Sequence, residues 1–315
     1  MLLRILTRTG ILLATAIVGS IVVFMLLAVL PGDPATVALG VNATPDAVAQ
    51  LQEKFGTNRP LIVQYTSWAL GVVHGDFGTS YVTGANIGEQ ILKRAEVTFW
   101  LIFLGLAAAV IIAVPLGSLA ALRQRKKSGS ILAGVSQLGV AVPSFIAALL
   151  LINIFAVQLG ILPSGGWTSP TVNFPRFVSQ AILPVLAIGI VQGALLSRYV
   201  RSASLDTIRE DYIRTARSKG LRPVAAFLKH GARNSAIPVV TVLGLQIAAL
   251  LVDTIIIEKV FVIPGLGSLL FDAVANRDLL LVQGVVLIIV TTILVLNYLI
   301  DVLYIAIDPR LRSTL

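Results

Sequence analysis

Residues 205–238, LDTIREDYIRTARSKGLRPVAAFLKHGARNSAIP, form a long polar segment between two strongly apolar stretches. Tyr212 to Lys219 leaves room for about two turns of helix, and Asp211 is a candidate cap at its start. Gly220 is a candidate stop, because glycine enters the left-handed turn that ends many helices without steric cost. The segment therefore predicts a short basic helix. A charged loop that only fixes membrane topology explains its composition equally well.

The composition of the whole chain indicates a lipid environment. Of 315 residues, 57% are hydrophobic and 12% are charged, whereas a soluble domain carries about 25% charged residues. The net charge of +9 has a simple cause in lysines and arginines that flank membrane spans, so membrane lipid is an expected partner and nucleic acid is not. The sequence has no cysteine, which excludes a disulfide framework and a thiolate metal site.

Six apolar stretches predict six transmembrane helices, since about 20 apolar residues cross the hydrocarbon core. The first stretch is longer than the apolar core of a signal peptide, so we interpret it as a spanning helix. Pro143 predicts a kink in the third. The predicted spans are 11–30, 97–122, 131–159, 181–200, 237–257 and 279–307.

The positions of the basic residues orient these spans. Most of the 24 lysines and arginines lie near the two termini, in the turn at 123–127 and in the central segment, which places these parts in the cytoplasm. The expected fold is an all-α polytopic membrane protein with six transmembrane helices and both termini cytoplasmic. Residues 1–30 form the first helix with its cytoplasmic N-terminus, 31–94 an extracytoplasmic segment, and 95–315 a five-helix core with a cytoplasmic loop at 204–236, between helices 4 and 5.

The extracytoplasmic segment predicts two helices of its own. Thr44-Pro45-Asp46 is a start signal for a helix that ends before Gly56, and Pro60 starts another. The second helix carries Tyr65 and Trp68 at helical spacing. It either lies at the outer membrane interface or packs inside a small subdomain.

Motifs of catalysis are absent from the sequence. The two histidines, His74 and His230, fall on opposite predicted sides of the membrane, so they form no metal-binding pair. The chain has no Gly-Lys dipeptide and hence no Walker A phosphate loop, and it lacks the G-x-S-x-G and H-E-x-x-H patterns. We expect no catalytic residue, no metal and no cofactor in this chain.

Polar residues within the predicted spans are candidates for a translocation path, because burying them in lipid is costly. Asp253 and Asp301 are the most expensive of them, and both lie near a span end, where a side chain that snorkels to the interface is an equally good explanation. The path candidates are Asn153, Gln246 and Asp253.

Ordered motifs along the chain resemble one family. The central segment carries the pattern D-Y-x-R-T-A-x-x-K-G at 211–220, a form of the E-A-A-x-x-x-G coupling signature of ATP-binding-cassette (ABC) importer permeases. The signature glutamate is absent and the Ile-Pro pair at 237–238 lies farther downstream, as in the peptide and nickel branch of that family. Further stretches agree in order: PGDP at 31–34, GDFGTSY at 75–81, VPSF at 142–145, PSGG at 163–166, EKVFVIPGLG at 258–267, RD at 277–278 and DPR at 308–310.

The resemblance implies that transport is shared among several subunits with different functions. The chain would be the first permease of a heterodimeric pair in the bacterial plasma membrane, working with a second homologous permease, two ATPase subunits or one fused ATPase, and an extracytoplasmic substrate-binding protein. ATP hydrolysis would belong to the partners, and the helix at 211–222 would dock onto them. Docking energy is expected from Tyr212, Ile213 and Leu221, with Ala216 small enough for close approach. The implied coupling residues are Asp211, Tyr212, Arg214, Thr215, Ala216, Lys219, Gly220 and Leu221.

The implied cargo is a short peptide, with nickel or glutathione as the alternative. Few histidines and no cysteine favour peptides. Asp253 would then attract the amino terminus of a peptide at the outer mouth, unless it is a rim residue without specific contacts. A membrane-embedded enzyme would need a convergent catalytic set that the sequence lacks, and a passive channel would not explain the coupling segment.

Overall fold

The computed structural model describes residues 2–28, 33–40 and 43–307, and these residues contain no β-strand. Residues 31–32 of the PGDP motif, the DPR motif at 308–310 and the side chain of Asp301 lie outside the described part of the chain. The helices are α1 (Leu2–Ala28), α2 (Pro34–Leu39), α3 (Pro45–Phe55), α4 (Leu61–Val73), α5 (Ile87–Leu122), α6 (Lys127–Ala141), α7 (Ser144–Leu151), the π-helix π1 (Ile152–Gln158), α8 (Phe174–Arg209), α9 (Asp211–Ser218), α10 (Pro223–Ala226), the π-helix π2 (Phe227–Gly231), α11 (Ala232–Val260), α12 (Leu266–Ala275) and α13 (Leu279–Ile307).

Five of the described helices are long and apolar enough to cross a membrane, and there are six spans if the bent pair 127–141 and 144–158 counts as one. The all-α polytopic class is therefore confirmed, while the sidedness of the loops stays a prediction. The bend in that pair is 98°. It falls at Pro143, which lacks an N–H for the helix ladder and keeps Val142 extended at φ −93° and ψ 120°. The predicted kink is thus a complete break.

Several helices extend beyond the predicted spans. The fourth span was expected at 181–200, but α8 has 36 residues, about 54 Å at the α-helical rise. It begins early because the Asn173 side chain accepts a hydrogen bond from the N–H of Arg176 at 3.1 Å, and Pro175 follows the cap. The apolar run covers only the middle part of this helix.

One compact unit comprises Met1–Val97 and Pro264–Leu315. Within it α1 packs along α13, and α4 joins α1 through aromatic rings. The ring of Phe24 lies 5.4 Å from that of Tyr65 and 6.0 Å from that of Trp68. The α4 helix thus packs on α1 through its aromatic side chains, and both expectations for it, the outer membrane interface and a small subdomain, stay predictions.

The predicted start and stop signals of α3 are confirmed. Thr44 Oγ1 accepts a hydrogen bond from the N–H of Ala47 at 3.4 Å, and Gly56 closes the helix in the left-handed region at φ 71°.

The other compact unit comprises Thr98–Ile263, and α8 is its central helix, with α6, α7, α9 and α11 packed on it. The approach of α8 to the second half of α5 depends on small residues. A Cβ at Gly189 would stand 2.6 Å from the Cβ of Ala108, and one at Gly193 would stand 3.1 Å from the carbonyl oxygen of Ala109. Small residues at such crossings let helix backbones approach closely in a membrane.

Candidate functional site

The predicted central helix is present as α9, although its start differs from the expectation. Glu210 occupies the N-cap and makes no side-chain cap hydrogen bond. Asp211 is the first helical residue, and its carboxylate lies 3.3 Å from the Arg214 guanidinium one turn later. The prediction that Asp211 caps the helix is therefore wrong. The predicted stop is confirmed, because Gly220 has φ 90°.

One face of α9 packs inside the chain. Ile213 is 1% exposed and Ala216 is 7% exposed, and they form a buried cluster with Ala226 of α10 and partly buried Leu221. A Cβ added at Gly231 would lie 3.3 Å from Ile213, so the π2 backbone closes this contact. Both side chains are covered by other parts of the chain, whereas the sequence led us to expect them at the contact with a partner protein; that contact stays a prediction. The two side chains attach α9 to α10 and π2.

The opposite face of α9 is exposed. Thr215 lies on it, with its hydroxyl donating to the Asp211 carbonyl oxygen at 2.9 Å. Tyr212 is 38% exposed, and its hydroxyl accepts a hydrogen bond from Asn234 Nδ2 at 2.9 Å. The exposed members of the predicted coupling set are Asp211, Tyr212, Arg214, Thr215, Lys219 and Gly220.

A polar cluster surrounds Asp253 of α11. Ser144, the first residue of α7 after the break, donates a hydrogen bond to Asp253 Oδ1. Gln192 of α8 donates from Nε2 to Oδ2 at 3.4 Å. Three helices of the Thr98–Ile263 unit thus converge on one carboxylate, and these hydrogen bonds favour a fixed position inside the chain over a snorkelling side chain.

The other two path candidates do not join this cluster through any described hydrogen bond. Gln246 lies seven residues before Asp253 on α11, hence on the same helix face. It is 5% exposed, and both its amide atoms are buried without a hydrogen-bond partner among the described residues. Asn153 is exposed on π1. The structure therefore groups Asp253 with Ser144 and Gln192, and leaves Asn153 apart.

Some of the motifs that resemble the family are distant in sequence but contact each other in pairs. In the Thr98–Ile263 unit, the N–H of Gly166 donates to the carbonyl oxygen of Phe261 at 2.9 Å. A Cβ at Gly165 would overlap that same carbonyl. The PSGG loop is therefore built against the EKVFVIPGLG segment, which explains why two glycines stand there.

A second pair lies in the other unit. Asp278, which is 2% exposed, accepts hydrogen bonds from the Ser80 hydroxyl, from the N–H of Tyr81 at 3.3 Å and from the N–H of Leu281 at 3.4 Å. The GDFGTSY loop is thereby tied to the first turn of α13. Burial, and to a smaller extent the Asp278 carboxylate, raises the pKa of the Tyr81 phenol above its ordinary value of 10.0.

Sequence reasoning missed a buried carboxylate. Glu258, near the end of α11, is 0% exposed, and Thr98 Oγ1 donates to its Oε1 at 2.5 Å. The signal was available, since a glutamate that ends an apolar run is costly to bury without hydrogen bonds.

The sequence matches two families. One is described as "Binding-protein-dependent transport system inner membrane component" and covers residues 113–313. The other describes the N-terminal part of such membrane components and covers residues 1–102.

Curated relatives match over nearly the whole chain. A probable peptide ABC transporter permease protein, y4tP of Sinorhizobium fredii, is 37% identical over 94% of this chain and 95% of its own length. The glutathione transport system permease protein GsiC is 37% identical in Salmonella typhimurium and 36% identical in Escherichia coli K12, over 96% of both chains in each case.

Solved structures share the fold at low identity. A chain of the MetNI methionine ABC transporter aligns with a TM-score of 0.58 at 17% identity, over 69% of this chain and 96% of that one. A chain of an amino acid ABC transporter aligns with a TM-score of 0.52 at 17% identity, over 70% and 94%.

Proposed function

The chain belongs to the family of binding-protein-dependent transport system inner membrane components, and from this premise we propose that it translocates short peptides. It is a multi-pass inner-membrane permease subunit of an ABC importer, and membership implies ATPase and substrate-binding partners. The observation that carries the proposal is the 37% identity to a probable peptide permease over 94% of the chain. The proposed cargo is a di- or oligopeptide delivered by an extracytoplasmic binding protein.

Glutathione is the second candidate cargo, because GsiC proteins are as similar to this chain as the peptide permease. Glutathione is itself peptide-like, with a free amino group and two carboxylates. The Asp253 cluster suits either cargo, since the two described hydrogen-bond donors to Asp253, Ser144 and Gln192, are neutral and do not compete with an ammonium group. Nickel, the other alternative from the sequence, has no group of three or more metal-ligating side chains in the described part of the chain to support it.

The partners in this proposal are a second, non-identical permease and two ATPase subunits, separate or fused. The chain itself neither binds nor hydrolyses ATP, in keeping with the lack of a Walker A loop in its sequence. Measurable ATPase activity of the rigorously purified chain alone would contradict this part of the proposal.

Coupling to the ATPases runs through α9 in this proposal. The physical support is that one face of α9 is buried within the chain and the other is exposed. Ile213 and Ala216 attach the helix to α10 and π2, while Thr215 and Arg214 face outward. A helix that is exposed on one side and firmly packed on the other can pass a displacement from a partner's groove to α8 and α11.

The cargo proposal is tested by uptake in cells that lack this chain and are complemented with it. Labelled dipeptide, tripeptide, glutathione and Ni²⁺ are supplied separately at equal concentration. We expect complementation to restore peptide uptake, with no restoration of Ni²⁺ uptake. Restoration of Ni²⁺ uptake alone would overturn the proposal, and restoration of glutathione uptake alone would select the second candidate.

A further inference from the structure

A cavity of about 400 Å³ lies between α6 and α8 in the Thr98–Ile263 unit. Its polar wall is formed by Gln137 of α6 and by Arg198, Tyr199 and Arg201 of α8. Nine residues along α8 separate Arg201 from Gln192, which places the two on opposite faces of the helix. The cavity is therefore distinct from the Asp253 cluster.

The cavity holds positive charge without a counter-charge. Two guanidinium groups line it, and no carboxylate of the described residues does. Arg201 Nε is buried, and no described atom accepts its hydrogen bond. The Ser197 hydroxyl donates to that of Ser136 in the wall at 2.8 Å, and neutral hydroxyls do not balance a guanidinium. A buried donor without an acceptor is costly, so the cavity favours a ligand that accepts hydrogen bonds, and two guanidinium groups favour an anionic one.

The position of the cavity along α8, relative to the membrane, indicates which anion is available to occupy it. Arg198 and Arg201 flank Val200, the last residue of the predicted fourth span, and α8 continues beyond it to Arg209. The two arginines therefore stand at the expected membrane boundary, on the side where the basic residues of the chain concentrate. Lipid phosphates lie at that level, and a guanidinium pairs with a phosphate through two parallel hydrogen bonds.

An apolar cavity lies on the same face of α8, toward the middle of the predicted span. Val191, Ala194, Arg198 and Arg201 follow each other at i, i+3, i+7 and i+10, which is one helix face. Val191 and Ala194 line an almost wholly apolar cavity of about 430 Å³, which residues of α6 and α7 line as well. A polar cavity at the membrane boundary and an apolar one deeper along the same face match an amphiphile with an anionic head. A free phosphate or the carboxylate of a passing peptide would use only the first.

We propose that this face of α8 binds an anionic phospholipid of the inner leaflet. Arg198 and Arg201 bind the headgroup phosphate, Gln137 donates to it from its amide, and an acyl chain occupies the apolar cavity beside Ala194. Bound lipid fixes α6 against α8 on the stretch that leads to α9. The site is separate from the cargo path and from the ATPase contact.

The test uses the complete transporter, purified with its partner subunits and stripped of loosely bound lipid. It is then incubated with vesicles of phosphatidylcholine that contain one part in five of phosphatidylglycerol, and the retained phosphatidylglycerol is measured after washing. The double variant Arg198→Gln/Arg201→Gln is compared with Arg209→Gln, which removes an exposed arginine at the end of the same helix. We expect the double variant to bind phosphatidylglycerol about tenfold more weakly or worse, and Arg209→Gln to bind it as the wild type does.

Three results would overturn the proposal. The first is equal retention by the wild type and the double variant, and the second is an equal loss in Arg209→Gln, which would indicate a diffuse basic surface. The third is displacement of the lipid by millimolar inorganic phosphate or by a tripeptide, which would make this a site for free oxyanions or for cargo. If the double variant fails to assemble, Arg198→Gln alone decides the question, because Arg198 is exposed and its loss leaves packing intact.

Discussion

The carboxylate of Asp253 accepts hydrogen bonds from two neutral side chains, those of Ser144 and Gln192. Neither donor carries a positive charge, so these hydrogen bonds orient the carboxyl group without forming an ion pair. Ser144 is available because the break at Pro143 begins a new helix at this level. A charged acceptor fixed by neutral donors is suited to attract a cationic group, and the amino terminus of a peptide is the proposed one.

The first prediction concerns this charge. Asp253→Asn keeps the side-chain volume and most hydrogen bonding, so the transporter should assemble at normal levels. We expect uptake of peptides with a free amino terminus to fall about tenfold, since one charge-assisted contact is lost. Uptake of N-acetylated peptides should change little. The measurement is competitive uptake of the two peptide classes at matched expression, and an unchanged ratio would exclude a substrate role for Asp253.

Asp278 gives a prediction about stability. Its buried carboxylate holds Ser80 and Tyr81 of one loop and the first turn of α13. Asp278→Ala leaves these donors without an acceptor and should lower the free energy of unfolding by about 2–4 kcal/mol. The control is Glu53→Ala, an exposed carboxylate away from the first turn of α3, which should change it by less than about 0.5 kcal/mol. Thermal unfolding in detergent compares them, and equal transitions would mean that Asp278 does not hold the loop.

Sequence and structure agree at residues whose effect is local. Thr44, Gly56 and Gly220 were predicted as helix ends and have that role, because capping and positive φ depend on neighbours in the chain. Pairings such as Ser80 with Asp278 or Gly166 with Phe261 join residues about a hundred or more positions apart. The motifs could be read from the sequence, but which motif contacts which depends on packing.

At the scale of elements, the presence of α9 could be predicted from the sequence, but the way in which it packs could not. The pattern identified a helix between two spans, and the helix is there. The family resemblance does not predict which face of α9 is buried, and Ala216 was expected at the contact with a partner protein. Ala216 instead packs with Ala226, because a short helix beside two long ones buries its own apolar side first. The exposed face carries Thr215 and is the one a partner can reach.

A prediction for α9 separates docking from folding. Thr215→Glu adds bulk and charge on the exposed face, so we expect normal expression but at least about tenfold lower uptake. Ala216→Glu forces a carboxylate into the buried cluster, which should cost about 3 kcal/mol or more and reduce expression. Thr171→Glu, an exposed position in the loop before α8, is the control and should keep uptake. Full uptake by Thr215→Glu would mean that α9 is only a topological anchor.

The contact between the PSGG loop and Phe261 gives another prediction at this scale. Gly165→Ala places a methyl group against the Phe261 carbonyl oxygen, so the two loops have to separate at a cost of about 1–3 kcal/mol. Gly134→Ala in α6 meets no atom within 4 Å and should stabilise the helix by about 0.5–1 kcal/mol. Thermal unfolding should move in opposite directions for the two variants. The same direction for both would contradict the close contact.

At the scale of the whole molecule, the membrane topology rests on charge distribution. The helices of the described residues supply five spans, or six with the bent pair, and the sidedness is predicted from the lysines and arginines. The apolar runs could be identified in the sequence because a helix that crosses the hydrocarbon core requires apolar side chains along its length. The 98° break could not, since a proline signals a weak point but its angle depends on what packs around it.

The topology is open to a direct test, because the chain has no native cysteine. Single variants Thr83→Cys, Thr171→Cys and Ser218→Cys place one thiol in each of three exposed loops or helices. A membrane-impermeant maleimide should label the first two in intact cells, and the third only after the membrane is opened. Labelling of Ser218→Cys in intact cells would reverse the predicted orientation.

The most direct test of the account is ATP hydrolysis by the complete transporter in liposomes, with its binding protein added empty or loaded with dipeptide. We predict that loaded binding protein raises the hydrolysis rate several-fold over empty protein, and that Thr215→Glu removes this rise while leaving the basal rate of the bound ATPases. A hydrolysis rate that is the same with empty and with peptide-loaded binding protein would contradict the proposed cargo. A full rise of the rate with loaded binding protein in Thr215→Glu would contradict coupling through α9.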